Sequence, residues 1–272
     1  MEQPTTTLNN GVQMPMLGFG TFKVPDGEIT AQSVKTALEL GYRHVDTAAI
    51  YGNETGVGEG IRQSSIARKD IFLTTKVWNA DHGYDTTLKA FDVSLQKLGT
   101  DYLDLYLIHW PKPLNRETWR AMERLYGEKR IRAIGVSNFH IHHLEDLLSA
   151  CEIVPAVNQI EFHPRLTQSH LLDFCKRKGI QLEGWSPLMK GQVMDIPLLK
   201  NLSAKYSRTV SQVVLRWDIQ KGVVTIPKST HRERIKENMQ LFDFEISEED
   251  MLLIDALNTG QRTGSDPDNF NF

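Results

Sequence analysis

The chain of 272 residues is 40% hydrophobic and 24% charged, an ordinary globular composition with enough apolar material for a large core. Its net charge of −3 leaves no electrostatic footprint for nucleic acid or an anionic membrane surface. No apolar run approaches the ~20 residues that cross a bilayer, and Met1-Glu2-Gln3-Pro4-Thr5 lacks a charged-then-apolar leader pattern. The two cysteines, Cys151 and Cys175, are far apart and suggest no disulfide framework. They read as reduced thiols in a cytoplasmic protein.

In chain order, Asn10-Gly11 between two short β-type runs predicts an N-terminal hairpin over residues 5–17. Strand-like runs then follow at 16–20, 44–46, 71–77, 103–108, 131–136, 156–160, 181–185 and 223–225. Helical periodicity fills the gaps at 29–40, 53–64, 84–98, 117–126, 141–150, 168–178, 197–206 and 211–220, and continues at 232–241 and 247–256. Leu40-Gly41, Leu98-Gly99 and Lys178-Gly179 are helix stops. Alternating β and α elements imply a parallel sheet with helical crossovers. Eight such units with no Pro/Gly/Ser-rich linker predict an α/β fold, a closed (β/α)8 TIM barrel with the hairpin at one end and extra C-terminal helices. Residues 1–272 are expected to form one domain. The tail 264–272 is polar and aperiodic, with Phe270 and Phe272 able to fold back onto a pocket.

Single polar residues stand where apolar strands end: Asp46, Lys76 and His109, with Tyr51 five positions after Asp46. Isolated ionisable groups closing buried strands are costly unless they meet in one site, and a barrel gathers such positions at its C-terminal face. A phenol is protonated at neutral pH, a neighbouring ammonium eases release of its proton, and a carboxylate keeps that ammonium charged. With histidine to orient a substrate oxygen, the set suits protonation of a carbonyl oxygen as hydride attacks its carbon, the hydride coming from a cofactor. An aldolase-like barrel with Lys76 as Schiff-base lysine, and a nicotinamide-binding protein with little turnover, are the competing readings.

The chain resembles the aldo-keto reductase family over essentially its whole length. The resemblance rests on Leu17-Gly18-Phe19-Gly20-Thr21, on Gly41-Tyr42-Arg43-His44-Val45-Asp46-Thr47-Ala48 with Tyr51, and on Thr75-Lys76-Val77-Trp78. It extends through Leu107-Ile108-His109-Trp110-Pro111, Gly135-Val136-Ser137-Asn138-Phe139, Val157-Asn158-Gln159-Ile160-Glu161 and Ile226-Pro227-Lys228-Ser229. It implies NADPH-dependent reduction of small aldehydes and ketones, with Tyr51 as general acid, Lys76 and Asp46 tuning it, and His109 orienting the carbonyl. For the cofactor it implies Gly20, Thr21, Ser137, Asn138, Gln159 and Trp185 near the nicotinamide, and Ser186 and Leu188 near the pyrophosphate. Lys228, Ser229 and Arg234 would take a 2′-phosphate, and Glu237 and Asn238 the adenine. Phe22, Ile50, Trp78 and Trp110 would line the substrate pocket. The partner implied is a small carbonyl compound, with no nucleic acid and no membrane, and the chain is expected to act as a monomer. The short segment between Pro187 and Pro197 is similar to bacterial members, especially the 2,5-diketo-D-gluconate reductase group.

Three other features have a second reading. Gly56-Val57-Gly58-Glu59-Gly60 lacks the final glycine of a dinucleotide loop and falls in a helical pattern, where Gly56 and Gly60 are expected to weaken the helix. Ser137-Asn138 doubles as a candidate N-cap for the helix at 141. His140, His142 and His143 open that helix with no obvious carboxylate or thiol partner, so no metal site is expected.

Overall fold

The computed structural model describes residues 3–272; Met1 and Glu2, which open the segment read above as lacking a leader, lie outside the described residues. The N-terminal hairpin is β1 (Thr5–Thr7) with β2 (Gln13–Pro15), antiparallel. Gly11, at φ +85, makes the reversal that a side-chain-bearing residue resists. Leu8 and Met14 are buried with Leu105, Leu107, Ala133 and Val157, so the hairpin plugs the bottom of the molecule. Asn9 and Asn10 fasten it by donating to the Pro155 and Arg132 carbonyls at 3.1 and 2.8 Å.

Eight parallel strands follow in sequential order: β3 (Phe19–Gly20), β4 (His44–Asp46), β5 (Phe72–Val77), β6 (Leu103–Ile108), β7 (Ile131–Ser137), β8 (Val157–Glu161), β9 (Gln181–Trp185) and β10 (Val224–Thr225). β3 and β10 are two residues each, shorter than the sequence runs. The barrel still closes between them, through a parallel bridge of Leu17 with Thr225 and through Gly18 N donating to the Thr225 carbonyl at 2.8 Å. A Cβ on Gly20 would come within 2.8 Å of the Ile226 carbonyl oxygen, so this seam admits only glycine there. β5 and β6 are buried at every position, as parallel strands covered on both faces must be.

The outer layer comprises α1 (Glu28–Glu39), α2 (Glu54–Gln63), α3 (Tyr84–Leu98), α4 (Asn115–Gly127), α5 (Ile141–Leu148), α6 (Ser169–Lys178), α7 (Pro197–Tyr206) and α8 (Val210–Gln220), followed by α9 (Arg232–Met239) and α10 (Glu248–Asp255). The core lies between strands and helices, with Trp119 and Trp217 wholly buried. The glycines of α2 serve close packing: a Cβ on Gly58 would meet the Leu98 carbonyl oxygen at 2.4 Å, and one on Gly60 the Ala31 carbonyl oxygen at 2.6 Å. The helix accepts a lower propensity in exchange for contact with both neighbours. The N-cap of α5 is His140, whose N–H donates to His143 Nδ1 at 3.2 Å, so Ser137 and Asn138 do not cap this helix. Among the described residues, no helix is long and apolar enough to cross a membrane.

Candidate active site

Period-two alternation sends every second residue of each strand into the barrel. His44 and Asp46 of β4, Thr74 and Lys76 of β5, Gln159 of β8 and Glu183 of β9 thereby share the interior. Asp46, Lys76 and His109 are brought together at the strands' C-terminal ends. Tyr51 sits in a 3-10 turn, Ala49–Tyr51, just after β4. Lys76 is fully buried and held on one side: Nζ donates to Asp46 Oδ1 at 2.7 Å, Asp46 Oδ2 at 2.9 Å and the Thr47 carbonyl at 2.8 Å. The same nitrogen lies 5.1 Å from the centre of the Tyr51 ring. The His109 ring approaches that of Tyr51 edge-on, centroids 5.6 Å apart.

Burial opposes the charge on Lys76, but Asp46 foremost, then Tyr51, carries the ammonium above its ordinary pKa. The Tyr51 phenol is pushed up by burial; Lys76 pulls the other way and does not prevail. The lysine therefore limits the rise rather than making the phenol more acidic than free tyrosine, as its neighbourhood in sequence suggested. Burial first, then Lys76 and His82, hold His109 well below the usual histidine range, so it is a neutral imidazole at neutral pH.

Beneath this layer lies a second one that the sequence reading missed. Gln159 Nε2 donates to Asp46 Oδ2 and to Glu183 Oε2, both at 2.8 Å. Burial, then the charge of Asp46, push the Glu183 carboxyl up to about 8. His44 Nε2 stands 3.5 Å from Glu183 Oε1 and 3.2 Å from Thr74 Oγ1, and burial pulls its ring down to about 3. A polar residue two positions before each strand cap is the signal that would have found His44, Thr74 and Glu183. With both Gln159 amide protons turned to carboxylates, its Oε1 accepts nothing among the described residues.

The remaining candidates fall into four groups. Thr21 N and Oγ1 both donate to the Asp46 carbonyl at 3.0 Å, and Ser137 Oγ donates to the Gln159 carbonyl at 2.9 Å. Asn138, held at φ +65, donates to the His109 carbonyl and accepts from Trp185 Nε1, each at 2.9 Å. Ser186 and Leu188 lie on the loop after β9, Ser186 with a left-handed backbone and its hydroxyl 3.2 Å from Thr263 Oγ1. Lys228 and Arg234 are exposed, and neither forms an ion pair among the described residues. Ser229 caps this loop by accepting from His231 N, Asn238 is buried, and Glu237 is already occupied as acceptor for Thr209 Oγ1 at 2.8 Å.

Phe22 packs on Tyr51 with centroids 4.9 Å apart, and Phe22 and Ile50 form an exposed rim. Trp78 stacks on Phe272 and Trp110 meets Phe270, so the tail does fold back over the pocket. The tail also packs closely against Trp185, where a Cβ at Gly264 would come within 2.3 Å of the indole. Glu161, buried on β8, accepts from Gly264 N at 3.0 Å and from Thr263.

A parallel eight-stranded barrel with an acid, a charged lysine and a neutral imidazole gathered at its C-terminal mouth belongs to the enzymes, and here to the oxidoreductases. Residues 16–259 match the model of the Aldo/keto reductase family, and the chain belongs to that family. It is similar to an uncharacterized oxidoreductase, YtbE, of Bacillus subtilis (strain 168), 59% identical across 99% of this chain and 98% of that protein. A glyoxal reductase of the same organism is also 59% identical, over 98% of each chain. The crystal structure of a Bombyx mori aldo-keto reductase in complex with NADP superposes with a TM-score of 0.92 at 37% identity, covering 98% of this chain and 97% of that one.

Proposed function

We propose that the chain reduces small aldehydes and ketones to alcohols with NADPH, Tyr51 acting as general acid. The observation that carries this is Lys76: a buried ammonium anchored by Asp46 and the Thr47 carbonyl, fixed beside the phenol and next to a neutral His109. His109, uncharged, donates a hydrogen bond to the carbonyl oxygen and turns it toward Tyr51. As negative charge grows on that oxygen, Tyr51 gives up its proton, and Lys76 stabilises the phenolate left behind. Asp46 keeps Lys76 charged throughout. A lysine held in this state cannot serve as an amine nucleophile, which weighs against the aldolase reading.

NADPH supplies the hydride. The residues present fit it. Gln159 Oε1, which accepts nothing among the described residues, would take the carboxamide NH2, with Ser137, Asn138 and Trp185 close by in the chain's fold. Gly20 and Thr21 close the seam beside them, and Ser186 and Leu188, on the loop after β9, would offer donors to a pyrophosphate. Lys228 and Arg234, cations without carboxylate partners, suit a 2′-phosphate, with Ser229 between them and Glu237 and Asn238 next along α9. The relative named a glyoxal reductase supports small dicarbonyls as substrates, and the indoles of Trp78 and Trp110 offer an apolar wall for their carbon chains. The test is a steady-state survey of NADPH oxidation with glyoxal, methylglyoxal, diketogluconate and simple aldehydes. Tyr51→Phe should keep NADPH binding, read by fluorescence titration, and lose about 10²–10⁴-fold in kcat. A variant that turns over like the parent removes Tyr51 as the proton donor.

A further inference from the structure

The His140, His142 and His143 cluster lacks a carboxylate only in sequence. The fold brings one from the far end of the chain. His140 Nδ1 lies 2.9 Å from Asp268 Oδ2, and His142 Nε2 and His143 Nε2 lie 3.0 and 3.4 Å from Asp268 Oδ1. All four donor atoms fall within 4.8 Å of one another. The His142 and His143 ring centroids are 3.9 Å apart. Asp268 is held in a turn, with its N–H donating to Asp266 Oδ1 at 3.0 Å and the Asn269 N–H to the Asp266 carbonyl at 3.0 Å.

We infer that His140, His142, His143 and Asp268 form a binding site for a borderline divalent transition metal, Zn²⁺ being the type, away from the Tyr51–Lys76 centre. Three imidazoles and one carboxylate are a donor set for such an ion and a poor one for Ca²⁺ or Mg²⁺, which take oxygen. Small shifts bring four atoms at these separations to the ~2.0–2.2 Å that nitrogen and carboxylate ligands need. Binding takes neutral imidazoles and an ionised carboxylate, so uptake should release protons and weaken as pH falls.

Loading the site moves protons. Arg262 Nη2 donates to His140 Nε2 at 3.0 Å, and the His140 N–H donates to His143 Nδ1. With metal on the facing nitrogens, those outer nitrogens carry the ring protons instead. Arg262 then turns to Glu161 and Asp266, already 3.8 and 3.9 Å away. These carboxylates, with Asp146 near His143, face the added charge.

The site has a consequence for the tail. Asp268 directly precedes Asn269 and Phe270, and the tail's last carbonyl, on Phe272, accepts from Asn79 Nδ2 at 3.2 Å. Metal at Asp268 ties the segment that covers Trp78 and Trp110 to the start of α5. It lowers the tail's opening rate and selects against bulky carbonyls. This last effect rests on the carbonyl-reduction reading; binding itself does not, and is measured without substrate.

The experiment is calorimetric titration of the metal-free full chain with Zn²⁺, with hydrogen exchange on residues 264–272. Expected are one ion per chain, slower exchange in the tail, and loss of at least about tenfold in affinity in each of His142→Ala and Asp268→Asn. Both side chains are largely exposed, so circular dichroism should show each variant folded. Absence of stoichiometric uptake, full affinity in either variant, or tail exchange unchanged by Zn²⁺ overturns the inference. Retained Zn²⁺ affinity in both variants would instead place the ion at another group such as the half-buried Cys151.

Discussion

Lys76→Met removes the cation from a site where both partners are buried. Asp46 is 2% exposed and receives two of its hydrogen bonds from Lys76. Without them it keeps the Gln159 amide alone, with Glu183 on the amide's other side. Breaking a buried pair from one side costs about 3–5 kcal/mol, a large share of the ~5–15 kcal/mol that holds a typical domain together. A buried carboxylate stripped of its counter-charge carries its desolvation cost uncompensated. The urea midpoint of the variant should therefore fall well below that of the parent. The double variant Asp46→Asn, Lys76→Met, with no charge left to strand, should recover most of the difference. A small gap between parent and single variant, or no recovery in the double variant, refutes the account of Lys76 as the counter-charge of Asp46.

Arg234→Ala should weaken NADPH far more than NADH, by about tenfold or more in Kd if the guanidinium takes the 2′-phosphate; equal losses would remove that assignment. Glu183, pushed up to about 8 from the ordinary 4.5, binds its proton more tightly in the folded state, so the parent should lose stability as pH rises across that interval. Glu183→Gln should flatten the decline in a series of urea midpoints, and an unaltered slope would mean Glu183 is not its source. Gly58→Ala, whose new methyl would meet a backbone oxygen of Leu98 at 2.4 Å, should lower Tm despite alanine's better helix propensity; a rise in Tm would show that α2 and α3 are not in close contact there.

The alternation of apolar strands and amphipathic helices is local information, and it carried the barrel, the hairpin at its base and the positions of Asp46, Lys76 and His109 at strand ends. Those three are legible because a polar residue closing an apolar run breaks a pattern that any single sequence displays. His44, Thr74 and Glu183 break it less visibly, inside strands, and which face of a strand enters the barrel is settled only when neighbouring strands pair. The glycines of α2 read as a weakness and turn out to be contacts, because the carbonyls they admit belong to α1 and α3. The phenol's pKa moved opposite to expectation for a similar reason: sequence names the charged neighbour, whereas desolvation depends on everything packed around it. His140, His142 and His143 are visible at a glance, yet the carboxylate completing them is Asp268, in the tail. Periodicity and residue chemistry act over a few positions and are written in the chain, but the meeting of groups far apart along it follows from packing, which exists only once the barrel has closed.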